Sequence, residues 1–353
     1  MPDAPRASVL KLLLVVTGCL SGLLLAEVGV RLTGAAPRVG FFQKEQFQLS
    51  PNILIGWEPI PNPAAAVGRL DGRFTPEERN SLGFRDYEHA VAKSPGVHRI
   101  LIIGDSITKG VGIPDPNMAY PMVLERELGQ RGLRSEVLNF GVEGYNTQQE
   151  VETLRDKGLR YKPDLVVLAY CLNDRDWPAH HLYMELLEEE SGSGGVAAAR
   201  LSPLLRHSAL YLFVRYRVLD DWLMKRRMAG GRIKELFDLV QKDTVEEYFG
   251  VLAGLSRQNG FKVLVAVFPY IDDLNDYKHL DQDLWVQGLS ARHGFAHYDL
   301  LNAFRECARL TGQTIAFDDV HPNNIGHVCA GRVLASFILD QAAGRAGMAP
   351  TDR

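Results

Sequence analysis

The stretch RILIIGDSITKG, residues 99–110, decides how this chain folds. Ile100 to Ile103 form an unbroken apolar run, which reads as a strand buried on both faces. Gly104, Asp105 and Ser106 follow where such a strand must emerge into solvent. The hydroxyl of Ser106 is therefore either a nucleophile or the polar end of a strand, and its surroundings have to decide.

Working outward, apolar runs alternate with amphipathic segments, the pattern of a parallel sheet covered on both faces. Arg99 to Ile103, Glu136 to Phe140, Leu165 to Tyr170, Lys262 to Phe268 and Ala296 to Asp299 read as strands. Helices are expected from near Pro121 to before Gly132, and from Asn146 or Thr147 to about Gly158. A third should end at Gly260 after a capping-box pattern at Thr244 and Glu247, and a last one should run from Pro322 to about Gln341. No internal repeat is visible.

Open parallel sheets bind ligands at the carboxyl ends of their strands. The first strand ends in Gly104, Asp105 and Ser106, the second in Asn139, Phe140 and Gly141, the third in Cys171, Leu172, Asn173 and Asp174. Asp318, Asp319, Val320 and His321 stand before the last helix. That set meets the needs of acyl transfer through serine. Ser106 would attack an ester carbonyl and His321 would take its proton. Asp318 would fix the imidazole tautomer. The backbone N–H groups of Ser106 and Gly141 and the side-chain amide of Asn173 would form the oxyanion hole. Asp319 reads as a solvated turn residue rather than the histidine's partner, and Asp105 as a loop brace. Tyr145, Asn146 and Gln148 suit a sugar pocket and suit capping and packing equally; His327 reads as helix surface or a satisfied core residue.

Four blocks carry a resemblance: IIGDSIT, NFGVEGYN, YCLNDRD and FDDVHPNNIGH. With them the chain resembles the SGNH hydrolase superfamily, the GDSL-type esterases and lipases, over about residues 80–345. A lead-in, RNSLGFRD, is similar to the segment before the first block in membrane-anchored bacterial members. The resemblance implies a three-layer α/β/α flavodoxin-like fold, Ser106 as nucleophile, Gly141 and Asn173 as oxyanion donors, His321 as base and Asp318 as its partner. One departure is Cys171, which stands where the third block commonly has glycine and would narrow the pocket beside Asn173.

At 353 residues, 46% hydrophobic and 23% charged, the chain can bury a substantial core. A formal charge of −4 and the lack of a long basic run give no reason to expect a nucleic-acid partner. No CxxC pair or HExxH points to a metal, and no cofactor is expected. Cys171, Cys307 and Cys329 allow at most one disulfide, and buried free thiols are the default reading.

The segment LLLVVTGCLSGLLLAEVGV, residues 12–30, is long and apolar enough to cross a bilayer, with Glu27 near its outer end where a carboxylate can reach water. Arg6 and Lys11 precede it, which would leave the rest of the chain extracytoplasmic; Arg31 and Arg38 follow and blur that orientation. A lipidated Cys19 in VTGC ranks second; a cleaved signal peptide and a buried soluble helix rank below. The expected organisation is an anchor at 1–31, a lead-in at 32–96, a hydrolase domain at 97–345 with a helical insertion at about 177–243, and a tail at 346–353. Within the insertion, residues 204–227 mix apolar and basic side chains, suiting a helix packed on its own domain or, second, a membrane-surface or lid element.

The expected function is a membrane-tethered serine esterase removing small acyl groups, acetyl above all, from carbohydrate or another envelope molecule. An O-acyltransferase with the same triad and an inactive binding module are the rivals. Retention of Ser106, Asn173 and His321 speaks against the inactive module. Protein partners are not legible.

Overall fold

The computed structural model describes residues 4–35, 44–66, 74–75, 78–175, 182–183, 186–187, 190, 207–214, 218–219 and 243–344. Most of the predicted insertion and all of the tail at 346–353 lie outside the described residues, as does most of 204–227. The chain divides into two compact units, residues 1–42 with 187–238, and residues 43–186 with 239–353.

The larger unit is a three-layer α/β/α structure. Its sheet has five parallel strands: β1 (His98–Gly104), β2 (Ser135–Gly141), β3 (Leu165–Cys171), β4 (Lys262–Phe268) and β5 (Ala296–Asp299). They lie in the order β2-β1-β3-β4-β5, the flavodoxin-like order. Strand order reverses beside β1, so a crevice is expected between the carboxyl ends of β1 and β3. The segments carrying Ser106 and Asn173 leave from those two ends. Register brings them level, since Gly104 pairs with Gly141 on one side and Ala169 on the other.

Alternating residues of the strands face opposite layers. Ile100, Ile102, Val167, Leu264 and Phe268 pack with Tyr120, Leu124, Phe304 and Leu334, from helices α2 (Tyr120–Gln130), α6 (Leu301–Thr311) and α7 (Asn324–Ala342). Close approach of α2 and α7 depends on Gly331, where a Cβ would come within 2.6 Å of Val123. The other face is covered by α3 (Thr147–Thr153) and α4 (Val245–Asn259); α5 (Leu280–His293) lies beside α4 and β5, and α1 is the single turn Ser106–Lys109. The strand bounds agree with the sequence reading within a residue. Helices α5 and α6 had no counterpart in it, and Thr244 makes no capping bond, its hydroxyl donating instead to Gln148 Oε1 at 3.3 Å.

The segment before β1 braces the rim that carries Ser106. Arg85 donates to the carbonyls of Gly110 and Ile113, both at 2.7 Å, and Asp86 Oδ2 accepts the Asn139 N–H at 2.8 Å. Asn139 in turn reaches the carbonyls of Arg85 and Thr108. The loops after β1 and β2 are thus tied to one segment.

In the smaller unit, the helix Ala4–Thr33 contains an apolar stretch, Leu13–Thr33, with mean hydropathy 2.1. At about 1.5 Å per residue it is long enough to cross a bilayer. Glu27 does not simply face water as expected: its carboxylate accepts from Ser208 Oγ, the N–H groups of Ala209 and Leu210, and Arg31 Nε, at 2.7 to 2.9 Å. It caps the short helix Ala209–Phe213, whose four-residue-long need for acceptors at its first turn a carboxylate meets well.

Candidate active site

Ser106 opens α1 directly after β1. Asp105 holds that turn, accepting the Ile107 N–H on Oδ1 at 2.8 Å. Gly104 is required beneath it, because a Cβ there would lie 2.1 Å from Thr108 Oγ1. The turn presents the Ser106 hydroxyl, and His321 meets it: Nε2 lies 2.8 Å from Oγ. On the far side of the ring, Nδ1 lies 2.8 Å from Asp318 Oδ2. A carboxylate can only accept from Nδ1–H, so Nε2 carries the lone pair and accepts the serine proton.

The D-x-x-H spacing works because the loop closes on its own acid. Asp318 Oδ1 accepts the N–H groups of Val320 at 2.9 Å and His321 at 2.8 Å. The Ile271 N–H also binds the Asp319 carbonyl at 2.9 Å, fixing the loop to the segment after β4. Burial pushes the Asp318 carboxyl up, but those two N–H groups and the imidazole outweigh it and hold it below the usual carboxylate range. The carboxylate that meets the His321 ring at Nδ1 is that of Asp318, through both oxygens.

Donors surround the site unequally. The Ser106 N–H has no hydrogen-bond partner among the described residues. Asn173 Nδ2 lies 3.4 Å from Asp105 Oδ2, which uses one of its two hydrogens and orients the amide. The expectation for Gly141 needs correction. Its N–H donates to Asn139 Oδ1 at 2.9 Å, and the residue is packed so tightly that a Cβ would meet Lys109 N at 2.3 Å. An N–H already engaged by a buried amide oxygen cannot serve an oxyanion. The next turn carries Gly144 at φ 72°, whose N–H has no partner among the described residues. Its neighbour Glu143 is paired with Lys109 at 2.8 Å, which holds that turn beside α1. Gly144 was missed, although the second glycine of GVEG was visible in the sequence.

Below the rim lies a cluster of carboxyls. Asp105, Asp174 and Glu150 are all buried, and neither oxygen of Glu150 has a hydrogen-bond partner among the described residues. Burial raises all three, and repulsion from neighbouring carboxylates adds to it for Glu150 and Asp174. Asp174 is oriented by Thr147 Oγ1 at 2.7 Å.

Other candidates are structural. Tyr145 donates to the Trp57 carbonyl at 2.6 Å, Asn146 forms a capping box with Gln149, and Gln148 Nε2 donates to the Leu54 carbonyl. All three are buried with their polar groups engaged in these contacts. Cys171 is fully buried in the apolar core. His327 is fully buried and accepts the Tyr120 N–H on Nδ1 at 3.1 Å. Among the described residues no group of His, Cys, Asp and Glu side chains is arranged to hold a metal ion.

This serine-and-imidazole rim on a parallel sheet is the arrangement of an ester hydrolase, and comparison with known proteins agrees. The profile of the GDSL-like Lipase/Acylhydrolase family matches residues 102–328, more than half of the chain, so the protein belongs to that family and is a carboxylic ester hydrolase. No curated protein matches the full sequence. Similar solved structures include an acetyl xylan esterase, at 17% identity, covering 69% of this chain and 98% of that one, with a TM-score of 0.40. Another is a catalytic mutant of an acetylxylan esterase from Geobacillus stearothermophilus, at 19% identity, covering 68% and 93%, with a TM-score of 0.43. A third is a two-domain esterase active on acetylated mannans, at 15% identity, covering 70% and 50%, with a TM-score of 0.42. Likeness at these values adds no weight to the family match.

Proposed function

We propose that the protein is a membrane-tethered, extracytoplasmic serine esterase that removes small acyl groups, acetyl above all, from carbohydrate or another envelope molecule. In this reading Ser106 Oγ attacks the ester carbonyl while His321 Nε2 takes its proton and then returns it to the departing alcohol. Asp318 keeps the tautomer and stabilises the imidazolium. Water, deprotonated by the same imidazole, then releases the acid and restores Ser106.

Negative charge on the tetrahedral intermediate is met by the Ser106 N–H and the Asn173 amide, with the Gly144 N–H taking the part first assigned to Gly141. Each such donor is worth about 3–4 kcal/mol of barrier. The upward shift of the buried Glu150 and Asp174 suits this chemistry, because it disfavours negative charge beneath the oxyanion. The N-terminal apolar helix supports the tether, with Arg6 and Lys11 on the cytoplasmic side.

One observation carries the serine mechanism, the 2.8 Å approach of His321 Nε2 to Ser106 Oγ. The test is an activated phosphonate ester, which labels a serine only when base and oxyanion donors act together. Mass analysis should find the adduct on Ser106; an intact protein unlabelled at that residue would refute the mechanism.

A further inference from the structure

A cleft of about 390 Å³ is lined by Leu172, Arg175, Asp243, Tyr270, His279 and Gln282. Two walls continue into the site. Leu172 directly precedes Asn173, and Tyr270 directly precedes Ile271, whose N–H holds the loop between Asp318 and His321. The cleft is thus walled in part by the residues that directly precede Asn173 and Ile271.

Its walls are built and polar. Arg175 binds Asp243 through Nε and Nη2, both at 2.7 Å and both on Oδ2. The Arg175 guanidinium lies 4.8 Å over the Trp285 ring, which keeps it in place. His279 is held edge-on between Tyr270, at 5.1 Å and 87°, and Tyr277, at 5.6 Å and 71°. Gln282 adds an amide with both donors and an acceptor. Leu172 is the one aliphatic side chain among these six.

Such walls discriminate between two kinds of ester. A long acyl chain gains roughly 0.8 kcal/mol per CH₂ only where it leaves water for apolar surroundings. Here it would cover Arg175, Asp243 and Gln282 and strip them of solvent without replacing their hydrogen bonds. A saccharide instead offers hydroxyls that both donate and accept, and a C–H face that can lie on aromatic rings.

We propose that this cleft is the subsite for the saccharide that bears the ester, with Asp243, His279 and Gln282 reading its hydroxyls and Tyr270 its C–H face; this rests on the esterase reading of Ser106. The full-length protein in detergent is assayed with O-acetylated xylo-, manno- and cello-tetraose and with 4-nitrophenyl acetate and decanoate. In His279→Ala and Gln282→Ala, kcat/KM for at least one acetylated tetraose should fall about tenfold, through KM, while 4-nitrophenyl acetate stays within about twofold. Equal losses on both substrates, or no loss on either, would overturn the subsite, as would a wild-type preference for decanoate over every acetylated tetraose. Failure of the esterase reading looks different: no Ser106-dependent turnover of 4-nitrophenyl acetate. The subsite is then decided by calorimetric titration of the unacetylated tetraoses into Ser106→Ala. Binding that weakens when His279→Ala is added supports it, and binding unchanged or absent with all three refutes it.

Discussion

Ser106 and His321 are 215 positions apart in the chain, yet Oγ and Nε2 are 2.8 Å apart. Neither residue is exceptional alone; in the proposed mechanism the contact makes the hydroxyl a nucleophile. Ser106→Ala should lower kcat on 4-nitrophenyl acetate by at least about a thousandfold with the melting temperature nearly unchanged. Turnover equal to that of the parent protein would mean that the chemistry lies elsewhere.

Asp318 is coupled to the same pair through Nδ1, and Asp318→Asn should cost about 10⁴-fold in kcat by favouring the wrong tautomer. The acid also has a stability signature. Its carboxyl is held below the ordinary range in the fold, so its contribution is complete above the unfolded value of about 3.9 and disappears as pH falls through the lower folded one. Urea titrations should show a steeper acid loss of stability in the parent than in Asp318→Asn across that window. Parallel curves would remove the argument that the loop's N–H groups bind an ionised carboxylate.

Gly141 is tightly packed and its N–H is taken by Asn139, so the proposed mechanism gives it no oxyanion role. In Gly141→Ala the new methyl meets the backbone of Thr108 and Lys109 at 2.3 to 2.6 Å. Melting temperature and activity should fall together, with about 1–3 kcal/mol of stability lost. Wild-type stability with activity alone reduced would instead favour a direct role in the oxyanion hole.

His327 accepts a backbone N–H from a fully buried position, and burial, helped by the nearby His321 and Arg85, lowers its pKa to about 3. The unfolded imidazole titrates near 6.5, so the unfolded chain binds the extra proton first. This residue's share of stability is therefore present above about 6.5 and declines as pH drops toward about 3. His327→Asn, which keeps an acceptor but cannot be protonated, should flatten that part of the stability profile. An unchanged slope would show that the ring is not the group responsible.

Much of this was legible in the sequence because parallel strands announce themselves. Ile100 to Ile103, Leu165 to Tyr170 and Val263 to Val267 are continuous apolar runs; the first two lead into Ser106 and Asn173, and the segment after the third holds the histidine loop. Helix α5 was not legible, since its sparse apolar positions include Leu284, which the fold leaves 57% exposed. Thr244 and Glu247 had capping-box spacing, but the pull of Gln148 across the unit was invisible locally. The choice between Gly141 and Gly144 turned on which N–H was already taken, a fact settled by Asn139 two residues upstream. The cleft residues Asp243, Tyr270, His279 and Gln282 carry no motif, and only topology brings them beside Arg175 of the third block.

The Glu27 cap has a practical consequence. Cutting the chain after residue 31 deprives Ser208, Ala209 and Leu210 of the carboxylate that binds them, and removes the Arg31 bond to the His207 carbonyl as well. A truncated protein made for solubility should therefore be nicked rapidly by trypsin or chymotrypsin around 207–214, while the full-length form in detergent resists. Equal cleavage rates would show that anchor and insertion fold independently. If the rates differ, a well-behaved soluble enzyme requires trimming both segments, not the N-terminus alone.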